Sequence, residues 1–206
     1  MGKIKPNYTK VAVVAHGKCE WIMCNYIKNN LRLKMEIRAD KKGEKSIQIT
    51  SLINFLNGRE FKDSKGFVEK NNDIETEGAG KSIKLKNFKF FIIMDTDDCT
   101  PEEATAYQNK SMFKNHWLYE YIEPIYNTPN LDTILKRYGI LPNVTIKDKD
   151  KVRIYSKAFP TDKNYNKTDV DQIKELAEVL SKDRNTNLEE FLEYCVTCVK
   201  KYNLKR

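Results

Sequence analysis

The chain has 206 residues, of which 40% are hydrophobic and 11% aromatic, so it is long enough to form one cored domain with at most a small appendage. Lys and Arg number 37 against 29 Asp and Glu, and the formal charge of +8 favours polyanionic partners such as nucleic acid. No stretch approaches the roughly 18 apolar residues of a membrane span, and the start of the chain lacks the apolar segment of a signal peptide. These features and five cysteines without a disulfide framework predict a cytoplasmic protein that does not enter a membrane.

The first predicted element is a buried strand over Val11–Ala15, which contains only valine and alanine. The turn H-G-K-C-E (residues 16–20) follows, and an amphipathic helix then runs through Trp21 to Ile27. The glycine of that turn allows a tight passage from strand to helix, and Glu20, one turn into the helix, is placed to reach back toward the strand end. Leu31–Arg38 alternates apolar and charged residues, which predicts a half-exposed strand and therefore a βαβ beginning.

The next stretch predicts a helix over Ser46–Asn57, which Gly58 ends, and a polar insertion over residues 61–86. We expect a short helix and a loop within that insertion. Its G-A-G-K run (residues 78–81) has the wrong spacing and no preceding strand for a phosphate-binding loop.

A second buried strand is predicted over Phe88–Met94, and it runs directly into Asp95-Thr96-Asp97-Asp98. Ligands of open α/β sheets bind at the carboxyl ends of strands, and oxygen ligands suit hard cations such as Mg²⁺. Asp95 and Asp97, two residues apart, share one side if the extended geometry continues, which makes them the first choice as ligands. The same acidic residues also fit a simple turn before a helix that begins at Thr100-Pro101.

The second half of the chain predicts further strands and helices. They are a helix over Pro101–Lys114, a strand over Trp117–Tyr126, a helix over Leu131–Tyr138 capped by Asn130 or Thr128, a late strand over Val152–Phe159, and helices over Thr168–Ser181 and Asn187–Lys201. Cys195 and Cys198 form a CxxC, but they lie on an amphipathic helix without a second pair, so we interpret them as packing residues. The predicted fold is α/β, with a mostly parallel central sheet flanked by helices in residues 1–160 and a helical C-terminal segment in residues 161–206.

Three predicted strand ends thus carry polar groups: H-G-K-C-E, D-T-D-D and Y-N-T-P-N. In this order, and with strands before the first two, the motifs resemble those of the TOPRIM fold. They are most similar to the compact RloB-like and OLD-like nucleases of bacterial defence systems. There, a first strand ends in an E-G-x-[ST]-E turn, a second ends in D-x-D, and a third is followed by N-P-x-[FL]-E at a helix start. The resemblance covers roughly residues 9–160.

The resemblance implies metal-dependent cleavage of phosphodiesters in RNA such as tRNA, or in DNA, in a defence or mobile-element setting. It implies Mg²⁺ or Mn²⁺ held by Glu20, Asp95 and Asp97, with Asp98 assisting. For such chemistry, Lys18 at the turn and Lys157 in the late strand region are candidates to neutralise the transition state, and the alternative is that each is only a surface charge. Two positions depart from the family. His16 stands at the first glutamate, and Asp132 stands for the acid of the third motif.

A histidine is a poor ligand for Mg²⁺ but a good one for Mn²⁺. The site is therefore one tuned to Mn²⁺ through His16, one that depends on the carboxylates alone, or a degenerate binding domain. In the last case the chain is a non-catalytic module that binds nucleic acid or a partner ATPase, since it carries no Walker motif of its own. A phosphatase or phosphotransferase is a distant alternative, and homo-oligomerisation stays open.

Overall fold

The computed structural model describes residues 8–58, 60–78, 83–159 and 168–203. Its centre is a four-stranded sheet in which every pairing is parallel, with the strand order β2-β1-β5-β6. These strands are β1 (Val11–Ala15), β2 (Met35–Arg38), β5 (Lys89–Asp95) and β6 (Ile122–Asn127), and a separate antiparallel pair is formed by β3 (Thr76–Glu77) and β4 (Lys84–Leu85). The predicted α/β class is confirmed, as is the prediction that the two most apolar strands are interior neighbours.

Helices cover both faces of this sheet. They are α1 (Lys18–Asn30), α2 (Ile49–Leu56), α3 (Ser64–Lys70), α4 (Pro101–Gln108), α5 (Leu131–Arg137), α6 (Asp148–Ala158), α7 (Asp169–Leu180) and α8 (Leu188–Asn203). None of the helices in the described residues is both long and apolar enough to cross a membrane.

The continuous apolar sequence of the central strands follows from burial on both faces. On β1, Val11 and Val13 contribute to the core beneath α1 and α5–α8, whereas Ala12 and Val14 contribute to the core beneath α2–α4. The residues of β5 divide between the two cores in the same alternating way. A strand that is buried on both faces has no polar face, so its sequence does not alternate between apolar and polar residues.

Two predicted strands were misplaced. Trp117–Tyr126 becomes extended only from Ile122, because Trp117 belongs to a turn in which its indole N–H donates to the Phe61 carbonyl at 2.6 Å. The late strand predicted over Val152–Phe159 is wrong, since these residues belong to α6 up to Ala158. The core-facing residues Tyr155 and Ala158 are three apart, which is the spacing of a helix face rather than of a strand.

The C-terminal helices share the core of the sheet. The rings of Phe191 on α8 and Phe91 on β5 lie 5.1 Å apart at 65°, and both residues are buried. The segment before α8 runs along the outer edge of β6, where the Thr128 N–H donates to the Asn185 carbonyl at 2.7 Å and the Asn187 side chain accepts from the Tyr126 N–H at 2.9 Å. The domain boundary predicted at residues 160 and 161 lies outside the described residues, and the division into two units stays a prediction.

Candidate metal centre

The sheet register brings the polar strand ends to one edge. Ala15, the last residue of β1, pairs with Ile93, and Asp95 at the end of β5 pairs with Asn127 at the end of β6. A cleft of about 650 Å³ opens at this edge, and we call it the sheet-edge cleft. It is lined by residues 16–20, Gly43, Glu44, Ser46, Asp95, Asp97, Asn130, Asp132, Asp148, Lys149, Lys151 and Val152. The cleft therefore contains five of the seven predicted site residues: His16, Lys18, Glu20, Asp95 and Asp97.

Glu20 is almost fully buried, with 2% of its surface exposed. Its Oε2 accepts the N–H of Gly17 at 2.9 Å, so the carboxylate turns back toward the end of β1, as the sequence predicts. Burial raises the pKa of Glu20, and the neighbouring His16 acts in the opposite direction. The structure thus places a carboxylate of limited hydration beside a histidine.

Asp95 is the second buried carboxylate of the cleft. Its Oδ1 accepts the N–H of Leu131 at 3.0 Å and the side-chain amide of Asn127 at 3.3 Å. Burial raises the pKa of Asp95 well above its usual range, and the charge of Glu20 raises it further. The two acids from β1–α1 and β5 therefore act on each other electrostatically, as expected of groups that share one site.

Asp97 and Asp132 are further acids of the cleft lining. Asp97 is exposed, and its Oδ2 accepts from the side-chain amide of Asn130 at 2.8 Å. Asn130 also caps α5 by accepting the N–H of Thr133, as the sequence predicts. Asp132 accepts a hydrogen bond from the hydroxyl of Tyr155, a buried residue of α6.

His16 and Asp98 carry buried atoms without partners. Within the described residues, neither Nδ1 of His16 nor Oδ1 of Asp98 has a hydrogen-bond partner. Burial raises the pKa of Asp98, while the charge of His16 lowers it, so the two groups influence each other. Asp98 is not among the residues that line the sheet-edge cleft, and its assisting role stays a prediction.

The structure separates the two predicted lysines. Lys18 lines the cleft, with its Nζ 3.4 Å from the Lys42 carbonyl and 4.9 Å from the centre of the Trp21 ring. Lys157 is exposed on α6 and does not line the cleft. Two lysines of α6 that the sequence did not single out, Lys149 and Lys151, line it instead. The spacing of Asp148 and Lys151 in the sequence could have indicated this helix, because oppositely charged residues three apart pair on a helix surface. In the structure, Oδ1 of Asp148 lies 3.0 Å from Nζ of Lys151.

The donor chemistry of the cleft fits a divalent cation, although the side chains are not arranged as a ligand set. Among the described residues, no group of three or more His, Cys, Asp or Glu side chains is placed to hold a metal ion. However, Oδ2 of Asp95 and Oδ1 of Asp97 have no hydrogen-bond partner within the described part of the chain. Carboxylate oxygens suit Mg²⁺ and Mn²⁺, and the unpartnered Nδ1 of His16 suits Mn²⁺. If a divalent cation binds in this cleft, Glu20, Asp95, Asp97 and His16 are the residues that could hold it.

A chain of hydrogen bonds supports Asp95 from the C-terminal segment. The hydroxyl of Thr186 donates to Oδ1 of Asn127 at 3.0 Å, and Nδ2 of Asn127 donates to Asp95. Both supporting residues are buried, and Thr186 also accepts the N–H of Leu188 at the start of α8. Sequence reasoning missed this chain, because its members lie 32 and 59 residues apart.

We expect Thr186→Val to weaken cation binding by up to about tenfold, the lower end of the usual effect of removing a group that orients a metal ligand, because Thr186 acts on Asp95 only through Asn127. Without the hydroxyl, the Asn127 amide is free to rotate away from Asp95. Thr186→Ser keeps the hydroxyl and should retain the wild-type affinity. The measurement is the rise of the melting temperature with Mn²⁺ concentration, and equal responses from the valine and serine variants would contradict the expectation.

Comparison with known proteins returned no matching family model, no matching curated protein and no matching solved structure.

Proposed function

We propose that this chain is a divalent-cation-dependent nuclease with a TOPRIM-like site, which hydrolyses phosphodiesters of RNA or DNA. The proposal rests chiefly on one observation. Two buried carboxylates, Glu20 and Asp95, meet at the carboxyl edge of a parallel sheet, in a cleft that also contains exposed acids and lysines. The motif resemblance and the charge of +8 support a nucleic acid as the substrate.

In the proposed site, Asp95, Asp97 and Glu20 hold the cation, with His16 beside them. A bound divalent cation lowers the pKa of water and neutralises charge on a phosphate. Burial of Glu20 and Asp95 strengthens their interaction with a cation, because few water molecules compete with it.

The lysines of the cleft have a separate role in this proposal. Lys18 and Lys151 face the same space as the acids and offset the negative charge that develops on the scissile phosphate. Lys157 is less suited to that role, because it is exposed outside the cleft lining.

We expect His16→Glu to change the preference of the site from Mn²⁺ toward Mg²⁺. The imidazole is a better ligand for Mn²⁺ than for Mg²⁺, and a glutamate at this position provides oxygen instead. Melting temperatures of the wild type and the variant should be compared at matched concentrations of both ions. If the variant kept the wild-type preference between Mn²⁺ and Mg²⁺, His16 would have a structural role and would not be a ligand.

The test of the proposed function is incubation with tRNA, single-stranded RNA and plasmid DNA, each with Mg²⁺, Mn²⁺ or a chelator. We expect cleavage of at least one substrate with a cation, and none with the chelator or in Asp95→Ala. Absence of cleavage under all conditions would contradict the proposal.

A second candidate function is a non-catalytic module that binds nucleic acid or a partner ATPase. It is favoured by the hydrogen bond that Glu20 accepts from the Gly17 N–H, since a glutamate in the first turn of a helix can serve as a cap without any metal. On this alternative the chain binds nucleic acid without cleaving it, and divalent cations leave its melting temperature unchanged.

A further inference from the structure

The turn over Asp40–Gly43 lies against the first turn of α1, at the rim of the sheet-edge cleft. Gly43 and Glu44 are among the lining residues of the cleft. A Cβ atom built on Gly43 would lie 2.8 Å from the backbone of Gly17 and Lys18, so only glycine allows this approach. The turn is thereby fixed in place beside the candidate metal ligands.

This turn has an unusual backbone. Lys41, Lys42 and Gly43 are consecutive residues with positive φ, at 46°, 57° and 82°. Glycine adopts this region freely, whereas a lysine is strained there, and asparagine or glycine would fit with less strain. The other non-glycine residues with positive φ in the described chain occur singly. Strain of this kind collects where function requires a particular side chain.

The two lysines are also available for binding. Both are exposed, and neither forms an ion pair with another described residue. By contrast, Nζ of Lys45 lies 3.7 Å from Oδ2 of Asp40. Lys149 and Lys151 line the cleft from α6. Two elements that border the cleft, the Asp40–Gly43 turn and α6, thus carry lysines, which suits binding of a polyanion.

We propose that the Asp40–Gly43 turn is a binding surface for the phosphate backbone of nucleic acid, with Lys41 and Lys42 each contacting a phosphate beside the one at the acids. This inference rests on the proposed function for the identity of the substrate, but it concerns binding and requires no cation. Both lysines are exposed, and the contact of Gly43 with α1 holds the turn at the rim of the cleft. Contacts of this kind bind the charged phosphates and do not distinguish one base sequence from another.

The test is binding of fluorescein-labelled 20-nucleotide single-stranded RNA and DNA, measured by anisotropy in a chelator at several salt concentrations. Lys41→Asn/Lys42→Asn removes both charges with a residue that tolerates positive φ, so its melting temperature should not fall. We expect about tenfold weaker binding at low salt, and a slope of log affinity against log salt that is smaller by about 1.4, the value for two contacts on a single strand.

Two controls isolate the position and the charge. Lys65→Gln/Lys70→Gln removes the same charge from α3, which packs near the opposite end of β5 through Phe67 and Phe88, and it should bind as the wild type does. Lys41→Arg/Lys42→Arg keeps the charge and should also bind normally. Equal affinity and salt slope in the asparagine variant and the wild type would overturn this inference and leave the proposed nuclease intact. Absence of nucleic-acid binding by the wild type at low salt in the chelator would also overturn this inference, whereas the proposed nuclease is tested separately by cleavage with a cation.

Discussion

Asp95→Asn is expected to reduce cation-dependent cleavage about a thousandfold or more and to raise the melting temperature of the cation-free protein by a few degrees. On the proposed function, the loss of activity follows because a cation held by Asp95 would supply several kcal/mol of transition-state stabilisation, and about 1.4 kcal/mol corresponds to a factor of ten. The melting temperature of the cation-free variant should rise because asparagine removes a buried negative charge beside Glu20. It keeps the side-chain oxygen that accepts hydrogen bonds from Leu131 and Asn127. Activity and melting temperature should be measured on the same preparation.

A suitable control is Asp148→Asn, at an exposed acid of the cleft rim that pairs with Lys151. It should keep most of the activity and the wild-type melting temperature, since exposed ion pairs contribute little. An active Asp95→Asn variant, or one that is inactive only because it unfolds, would contradict the role assigned to Asp95.

Phe191→Ala is expected to lower the free energy of unfolding by about 3–5 kcal/mol, the usual cost of removing a buried phenylalanine side chain. Phe191 on α8 is fully buried against Phe91 of β5, so the cavity would open beneath the central sheet. Urea denaturation followed by circular dichroism measures the change. A single shifted transition is expected, because α8 and the sheet share one core.

The matched control is Tyr119→Ala, which removes an aromatic ring that is 38% exposed. It should lower the free energy of unfolding by less than about 1 kcal/mol, as surface substitutions usually do. If Phe191→Ala cost no more than this control, or if α8 unfolded in a separate earlier transition, the C-terminal helices would not be integral to the fold.

The sequence was most informative where burial alone determines structure. Val11–Ala15 was predicted with its observed bounds, and the strand predicted over Phe88–Met94 is shifted by one residue. Both strands are enclosed on two faces, so a short apolar run bounded by polar residues was sufficient to identify them. Their adjacency followed from requiring Glu20 and Asp95 at one site.

The prediction failed where local pattern and tertiary packing compete. Val152–Phe159 contains apolar residues that suit a strand, yet the helix α6 begins earlier, with Asp148 and Asp150 in its first turn. Its core residues Tyr155 and Ala158 are three apart. The helix brings Lys149 and Lys151 to the cleft, whereas Lys157 does not line it. One wrong element therefore misplaced the lysines relative to the acids.

The residues of the candidate site could be predicted from the sequence only in part, for a different reason. Acids at strand ends can be located from the chain alone, because the ends of parallel strands meet at one edge. The groups that orient them, such as Asn127 and Thr186 behind Asp95, depend on contacts between distant segments. No local pattern specifies such a pair.

The central claim is that a divalent cation binds at the sheet-edge cleft, and the most direct measurement is titration of Mn²⁺ into the purified chain, followed by the electron paramagnetic resonance signal of the free ion. We predict saturable loss of that signal in the wild type and at least tenfold weaker binding in Asp95→Asn, because the variant loses a buried carboxylate ligand. A wild type that binds no Mn²⁺, or an Asp95→Asn variant that binds it equally well, would contradict the claim.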